Sequence, residues 1–256
     1  MHPALFVFLL LSQPKGVILA DLTWIEAEKV LTPETVVVIP IGAESKEHGP
    51  HLKLKNDLLL AQWFTREVRK RSNVVIAPTV NYHFYPAFVD YPGSTTLRLE
   101  TARDLLVDIC RSLARHGPKR FYALNTGVST LRALAPAAEI LAKDGILFRY
   151  TNILEVGAEA EKKVKQQKTG THADEIETSL MLYMNPETVD MKKAVKDDNP
   201  STGGPLTRDP KQPGRYSPSG VFGDATLATR AKGKVVAEAM VEGMLAEIEA
   251  LRNMRN

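Results

Sequence analysis

Cysteine is almost absent from this chain: its 256 residues include one, Cys110. No disulfide can form within the chain, and the apolar spacing around Cys110 (DLLVDICRSLARHG) marks it as a small core residue rather than a nucleophile. Charge of one sign is also lacking. The formal net charge is +3, and no cluster of Lys and Arg is interleaved with aromatics, so a nucleic-acid partner has no footing. Long apolar runs are missing as well. Residues 4–11 form a run of eight, against the roughly 20 needed to cross a bilayer, so no membrane is expected as a partner of the mature form. No internal repeat is visible.

What is present is enough apolar material, 44% of residues, for one sizeable core, and one α/β domain is the simplest count. The N-terminus reads two ways. Apolar runs at 4–11 and 17–20 resemble a secretory h-region with cleavage after Ala20. The flanking segment carries no Lys or Arg, however, and Lys15 interrupts the run, which fits an N-terminal strand or a misplaced start codon. The expected division is a signal peptide over 1–20 and a single domain over 21–256. The expected location is periplasmic or secreted, or cytoplasmic if nothing is cleaved.

The stretch VVVIPIGAESKEHGPHLKLKND (36–57) organises the rest. Its β-branched start predicts a central strand covered on both faces. Gly42 ends the strand, and Glu44, Glu47, His48, His51 and Asp57 follow at the position where open α/β sheets bind ligands. Thr23 or Asp21 can cap a short helix that runs through Lys29. Helices are predicted over 57–71, 100–116, 131–143 and 227–252, with strands over 74–77, 120–125 and 146–153. Residues 155–168 read as helical or mobile. A helix leads from 175 to a stop at Asn185-Pro186, and 197–219, rich in Pro and Gly, reads as a surface excursion. This alternation argues for a three-layer α/β/α sandwich with a mostly parallel central sheet. The aromatic loop NYHFYPAFVDYPGSTT (81–96) either lines a pocket or packs beneath itself, and Tyr82, His83 and Tyr85 are its substrate-binding candidates.

Two loops carry ligand-type residues. His48 and Asp57 form a donor pair of the kind used by zinc and manganese. The bland alternative is a His-Gly-Pro-His turn with solvated acids. His172, Asp174, Glu175 and Glu177 sit in THADEIETS, where an imidazole can act as an acid beside activated water. Asp174 and Glu175 fit better as helix N-terminal acids.

Five segments in order resemble the creatininase family. GAESKEHGPHLKLKND is similar to its G-S-x-E-Q-H-G-x-H-x-x-x-x-x-D signature. HADEIETSLMLYMNPETVDM resembles its H-[AG]-G-x-x-E-T-S-L-M-L segment, and DYPGSTTLRLET its F-P-G-T-x-S-L stretch. GVFGDATLATRAKGK and DLTWIEAEKV resemble its C-terminal and opening motifs. The resemblance implies an α/β/α fold and hydrolysis of a non-peptide, often cyclic, amide C–N bond in a small-molecule substrate. It also implies two divalent ions, zinc or manganese, and a homo-oligomer, commonly a hexamer. His48, Asp57 and Glu177 are the expected ligands, with Glu47 as a fourth, and His172 is the expected catalytic acid/base.

The departures are as informative. Counting back from His48, Lys46 stands where the family has a glutamate; counting on from Gly42, Ser45 does, so the loop carries one extra residue and Glu47 or Glu44 supplies the carboxylate only if the backbone shifts. Gly127 stands where the family has a metal-binding histidine. Thr169 replaces an aspartate that creatininase places near substrate, which argues against creatinine itself. One ion is therefore expected rather than two, with His51 and His83 as substitute ligands if a second is held. The expected function is metal-dependent amide hydrolysis. The alternatives are a scaffold or binding protein that keeps the fold without the chemistry, and lactone or ester hydrolysis on the same fold.

Overall fold

The structure, a computed structural model, describes residues 15–198 and 203–254. The apolar run at 4–11 lies outside the described residues. Strands β1 (Val17–Ile18), β2 (Val36–Ile41), β3 (Val75–Ile76), β4 (Arg120–Asn125) and β5 (Leu147–Tyr150) form one parallel sheet in the order β1-β3-β2-β4-β5. Val17 and Ile18, which could have belonged to a leader, pair with Val75 and Ile76 at the sheet edge. Cleavage after Ala20 would remove that edge strand.

All six residues of β2 are buried. Period-two alternation divides them between two layers. Val36 and Val38 pack with α2 (Asn56–Arg71), α6 (Glu175–Met184) and α7 (Arg230–Asn253), through Leu60, Phe64, Met181, Val236 and Met244. Val37, Ile39 and Ile41 pack with α3 (Leu99–Ala114) and α4 (Leu131–Lys143), through Leu106, Cys110, Leu134 and Leu141. The three-layer expectation holds, and Cys110 sits in the core, where burial pushes its thiol pKa up. Two shorter α-helices complete the set among the described residues: α1 (Trp24–Val30), closed by a Thr23–Glu26 capping box, and α5 (Ala158–Val164).

The chain leaves β2 for β3 on one side of the sheet and leaves β4 for β5 on the other, so the connections from these two neighbouring strands run in opposite directions. The crevice this creates at the carboxyl ends of β2 and β4 is where an open α/β sheet binds ligands. The residues following β2 and β4 both enter it.

The excursion at 197–219 is only partly a surface feature. β7 (Leu206–Thr207) and β8 (Arg215–Tyr216) pair in parallel, and β6 (Lys196–Asp197) pairs antiparallel with β9 (Gly223–Asp224). Leu206, Thr207 and Ser217 are buried. Ser217 accepts the Tyr91 hydroxyl at its carbonyl (2.7 Å), so the excursion folds onto the aromatic loop as a wall.

Helices α6 and α7 lie so close that a Cβ on Gly233 would collide with the Ser179 carbonyl oxygen. That atom belongs to backbone, so only separation of the helices relieves the clash. Gly233→Ala should lower unfolding free energy in chemical denaturation by about 3 kcal/mol, the upper end of ordinary overpacking. A change below about 0.5 kcal/mol would show that the helices do not approach this closely.

Candidate functional site

Four local devices build the site. The first is the loop after β2, which residues 91–97 tie down. Thr95 N–H donates to the Ser45 carbonyl (3.0 Å) and Glu47 N–H to Ser94 Oγ (2.9 Å). The PGSTT segment is thus a brace for the ligand loop. The second is the first turn of α2, which carries Asp57. The third is the first turn of α6. Asp174 caps it by accepting the Ile176 and Glu177 N–H groups, as its N-terminal placement suggested. Burial raises the Asp174 carboxyl pKa to about 6. Ala173 turns the chain at φ 47° and donates its N–H to Glu177 Oε2 (2.7 Å), which fixes Glu177. The fourth is Glu175, buried against Lys232 Nζ (2.6 Å) and accepting the Gln166 and Gln167 N–H groups. It anchors the chain leading to His172.

These devices bring His48, His172 and Glu177 together, with donor atoms all within 4.8 Å of one another. His48 Nδ1 meets the Lys46 carbonyl at 2.8 Å, a contact that takes the Nδ1 proton. Nε2 then faces Asp57 Oδ1 at 2.8 Å and Glu177 Oε1 at 3.4 Å. A lone pair aimed at two carboxylate oxygens needs a positive charge between them, supplied by a proton or by an ion. Two ligands of a tetrahedral zinc, each about 2.0–2.1 Å from it, stand about 3.4 Å apart. The His48–Glu177 separation suits one such ion.

His172 has a carboxylate on each side: Glu47 Oε2 is 3.0 Å from Nε2 and Glu177 Oε2 is 3.8 Å from Nδ1. Burial alone would lower its pKa, but the Glu47 charge and hydrogen bond raise it. Glu47 answers in kind: burial opposes its charge, and His172 holds its carboxyl pKa below the usual value. Phe88 lies against the His172 ring, with centroids 4.3 Å apart.

Asp57 is fully buried, and Oδ2 takes no aligned hydrogen bond from a neighbour. It instead faces the Lys46 ammonium at 2.6 Å. Burial alone would push its carboxyl pKa up; Lys46 and then His48 hold it well below the carboxylate range. Lys46 Nζ lies 4.6 Å from the Phe88 ring centroid and 5.5 Å from that of Tyr85, both within cation–π range. Glu47, Asp57 and Glu177 set against Lys46 leave two negative charges. Two imidazolium protons or one divalent ion balance them.

The site opens into a cavity of about 360 Å³. Lys46, Tyr85, Phe88, Gly127, His172 and Glu177 line its polar end, and Phe64, Leu180, Val236 and Met240 its apolar depth. Of the three aromatic-loop candidates, Tyr85 lines this cavity. Tyr82 is 49% exposed, and His83 is buried outside the lining. Adjacent residues of an extended segment face opposite ways, which separates Tyr82 from His83. His51 spends Nε2 on Thr178 Oγ1 (2.8 Å) and does not join the converging donors, nor does His83. Phe88 and the charge of Lys46 are the main features that sequence reasoning missed. The aromatic loop signalled the first, and the glutamate-to-lysine departure signalled the second.

A parallel three-layer fold with imidazoles and carboxylates at its strand ends defines the class, an α/β protein with a metal-type pocket at the switch point. The chain belongs to the creatininase family: the family described as creatinine amidohydrolase matches residues 20–248. Creatinine amidohydrolase of Pseudomonas putida is 27% identical over 249 residues, covering 90% of this chain and 95% of the relative. The mycofactocin precursor peptide peptidase of Mycobacterium ulcerans (strain Agy99) is 26% identical, covering 83% and 84%. A mutant creatininase of Zn-Zn type superposes with a TM-score of 0.77 at 25% identity, covering 93% of this chain and 98% of that one. The family's hydrolases therefore include one named for a peptide substrate, so restriction to non-peptide amides does not follow from membership.

His83 supplies a measurable pH effect outside the ligand cluster. Burial lowers its pKa from 6.5 to about 4, and contact with the Ala102 backbone opposes this without offsetting it. Between those values the unfolded chain takes up a proton that the folded chain refuses. Stability should therefore fall as pH drops from about 6.5 to about 4, by about 3 kcal/mol from this group. Denaturation of His83→Leu should show a shallower pH slope in that window. An unchanged slope would remove His83 as the cause.

Proposed function

We propose that this chain is an amide hydrolase that works with one divalent ion, zinc or manganese. The observation that carries the reading is the convergence of His48, His172 and Glu177 at the polar end of the cavity. His48 Nε2 and Glu177 Oε1 would hold the ion. Such an ion supplies Lewis acidity for an amide carbonyl or a water. A second ion does not fit alongside it, because Asp57 Oδ2 is taken by an ammonium and Gly127 offers no donor.

The remaining residues prepare the substrate. Glu47 and Glu177 flank the two nitrogens of His172 and favour a proton on each, and Phe88 fixes the ring plane. His172 thereby holds a proton at the cavity wall for a leaving nitrogen, the role of a general acid. Phe88 and Tyr85 form the aromatic wall of the polar end. The apolar depth favours an amide carrying a hydrophobic group and is roomy for a ring as small as creatinine. The relative named as a peptide peptidase supports including linear peptidyl amides with cyclic ones.

The scaffold reading draws on the same two departures, Lys46 and Gly127, and predicts no turnover at all. Zinc- or manganese-loaded protein, tested on cyclic amides and on linear amides with apolar acyl groups, should release amine. His172→Gln should lower that rate about 100-fold or more while keeping its bound ion. Chelation should abolish activity, and added zinc or manganese should restore it. Folded, loaded protein inert on the whole panel would favour the scaffold. Loss of the ion in His172→Gln would make His172 a ligand rather than the acid.

A further inference from the structure

We propose that the Lys46 ammonium is a built-in replacement for the second metal ion of the family's two-ion centre. The proposal deepens the one-ion reading above. It rests on three features that fit one another: charge, position and the space around Gly127.

Charge comes first. A glutamate holding a divalent ion carries a net charge of +1, and so does a lysine holding none. Substituting lysine at position 46 therefore leaves Asp57 facing the same charge without any metal. Position agrees. Nζ stands 2.6 Å from Asp57 Oδ2, and Asp57 is 1% exposed and Lys46 4%. Both groups are out of bulk water, where an uncompensated carboxylate would be costly. The ammonium also lines the cavity beside His172 and Glu177, so its charge faces the substrate space.

The third feature excludes the ligand that is missing. A Cβ on Gly127 would lie 3.2 Å from Tyr85 Cε1 and 3.1 Å from Thr130 Cγ2, tighter than ordinary contact. The Tyr85 ring crowds the space a histidine at 127 would need, and the same ring walls the Lys46 ammonium. Lys46, Tyr85 and Gly127 pack together, and within this group it is the ammonium that takes the place beside Asp57 where a second ion would sit.

The test is metal stoichiometry, which does not depend on turnover. Wild type and Lys46→Glu are loaded with excess zinc or manganese, desalted, and analysed for metal per folded chain, with circular dichroism confirming the fold. Lys46→Glu should hold one ion more than wild type. A wild type already holding two ions, or a folded variant that gains none, would overturn the proposal. The wild-type value separately tests the one-ion reading: zero in wild type and one in the variant would sink that reading and leave the Lys46 assignment standing. Should Lys46→Glu not fold, electron paramagnetic resonance of manganese-loaded wild type decides. An uncoupled single-ion spectrum supports the proposal, and an exchange-coupled pair overturns it.

Discussion

A lysine ammonium 2.6 Å from a fully buried carboxylate sets the conditions for everything around it. Asp57 sits in the first turn of α2, and its charge is tolerated there only because Lys46 and His48 lie against it. That requirement fixes the path of the loop after β2, since residues 46 and 48 must both reach position 57. The loop holds this path because Ser94 and Thr95 brace Glu47 and Ser45 from outside. Thr126 closes the arrangement from β4, with its hydroxyl donating to the Ile41 carbonyl (3.0 Å) and to the Asp57 carbonyl (3.3 Å). A buried ion pair of this kind adds little net stability when formed. Breaking it by removing one partner costs about 3–5 kcal/mol, because the other charge stays in place. The pair therefore specifies geometry more than it supplies folding energy.

Much of the fold was legible because its local signals agree with its packing. The β-branched run at 36–41 names a strand buried on both faces, and the structure buries every residue of it. Thr23 and Glu26 spell a capping box, and the box forms. Asp174 reads as a helix N-terminal acid and caps α6. The excursion at 197–219 misled because Pro and Gly report backbone freedom, not whether a segment lies against something. Leu206 and Ser217 are buried by the aromatic loop, a contact between segments more than a hundred residues apart.

The site was legible in residue type and less so in direction. His48, Asp57, His172 and Glu177 were all named, and the donor atoms of His48, His172 and Glu177 lie within 4.8 Å of one another. Which group each one faces depends on side-chain orientation, which spacing does not encode. Asp57 turns one oxygen to Lys46, and Glu47 turns to His172 and to the Gly49 N–H. Neither joins the converging donors. Tyr82, His83 and Tyr85 looked alike in sequence, yet strand-like alternation sends one out to solvent and buries the next.

The wall of the site decides how strongly its charges act. Phe88 touches both cationic candidates, with its ring 4.6 Å from Lys46 Nζ and 4.3 Å from the His172 ring. An aromatic face attracts cations and excludes water at once. Excluding water lowers the local dielectric, so an ammonium or imidazolium beside Phe88 acts on a substrate oxygen or nitrogen far more strongly than at the surface. A fixed ammonium also needs no capture from solution and cannot be chelated away. It cannot gain or exchange ligands during a reaction, however, so whatever a second ion does by rebinding is closed to this chain. On the proposal made above, the lysine would keep the electrostatic part of an ion's work and give up the coordination part, and bond-breaking chemistry would fall to His48, Glu177 and His172.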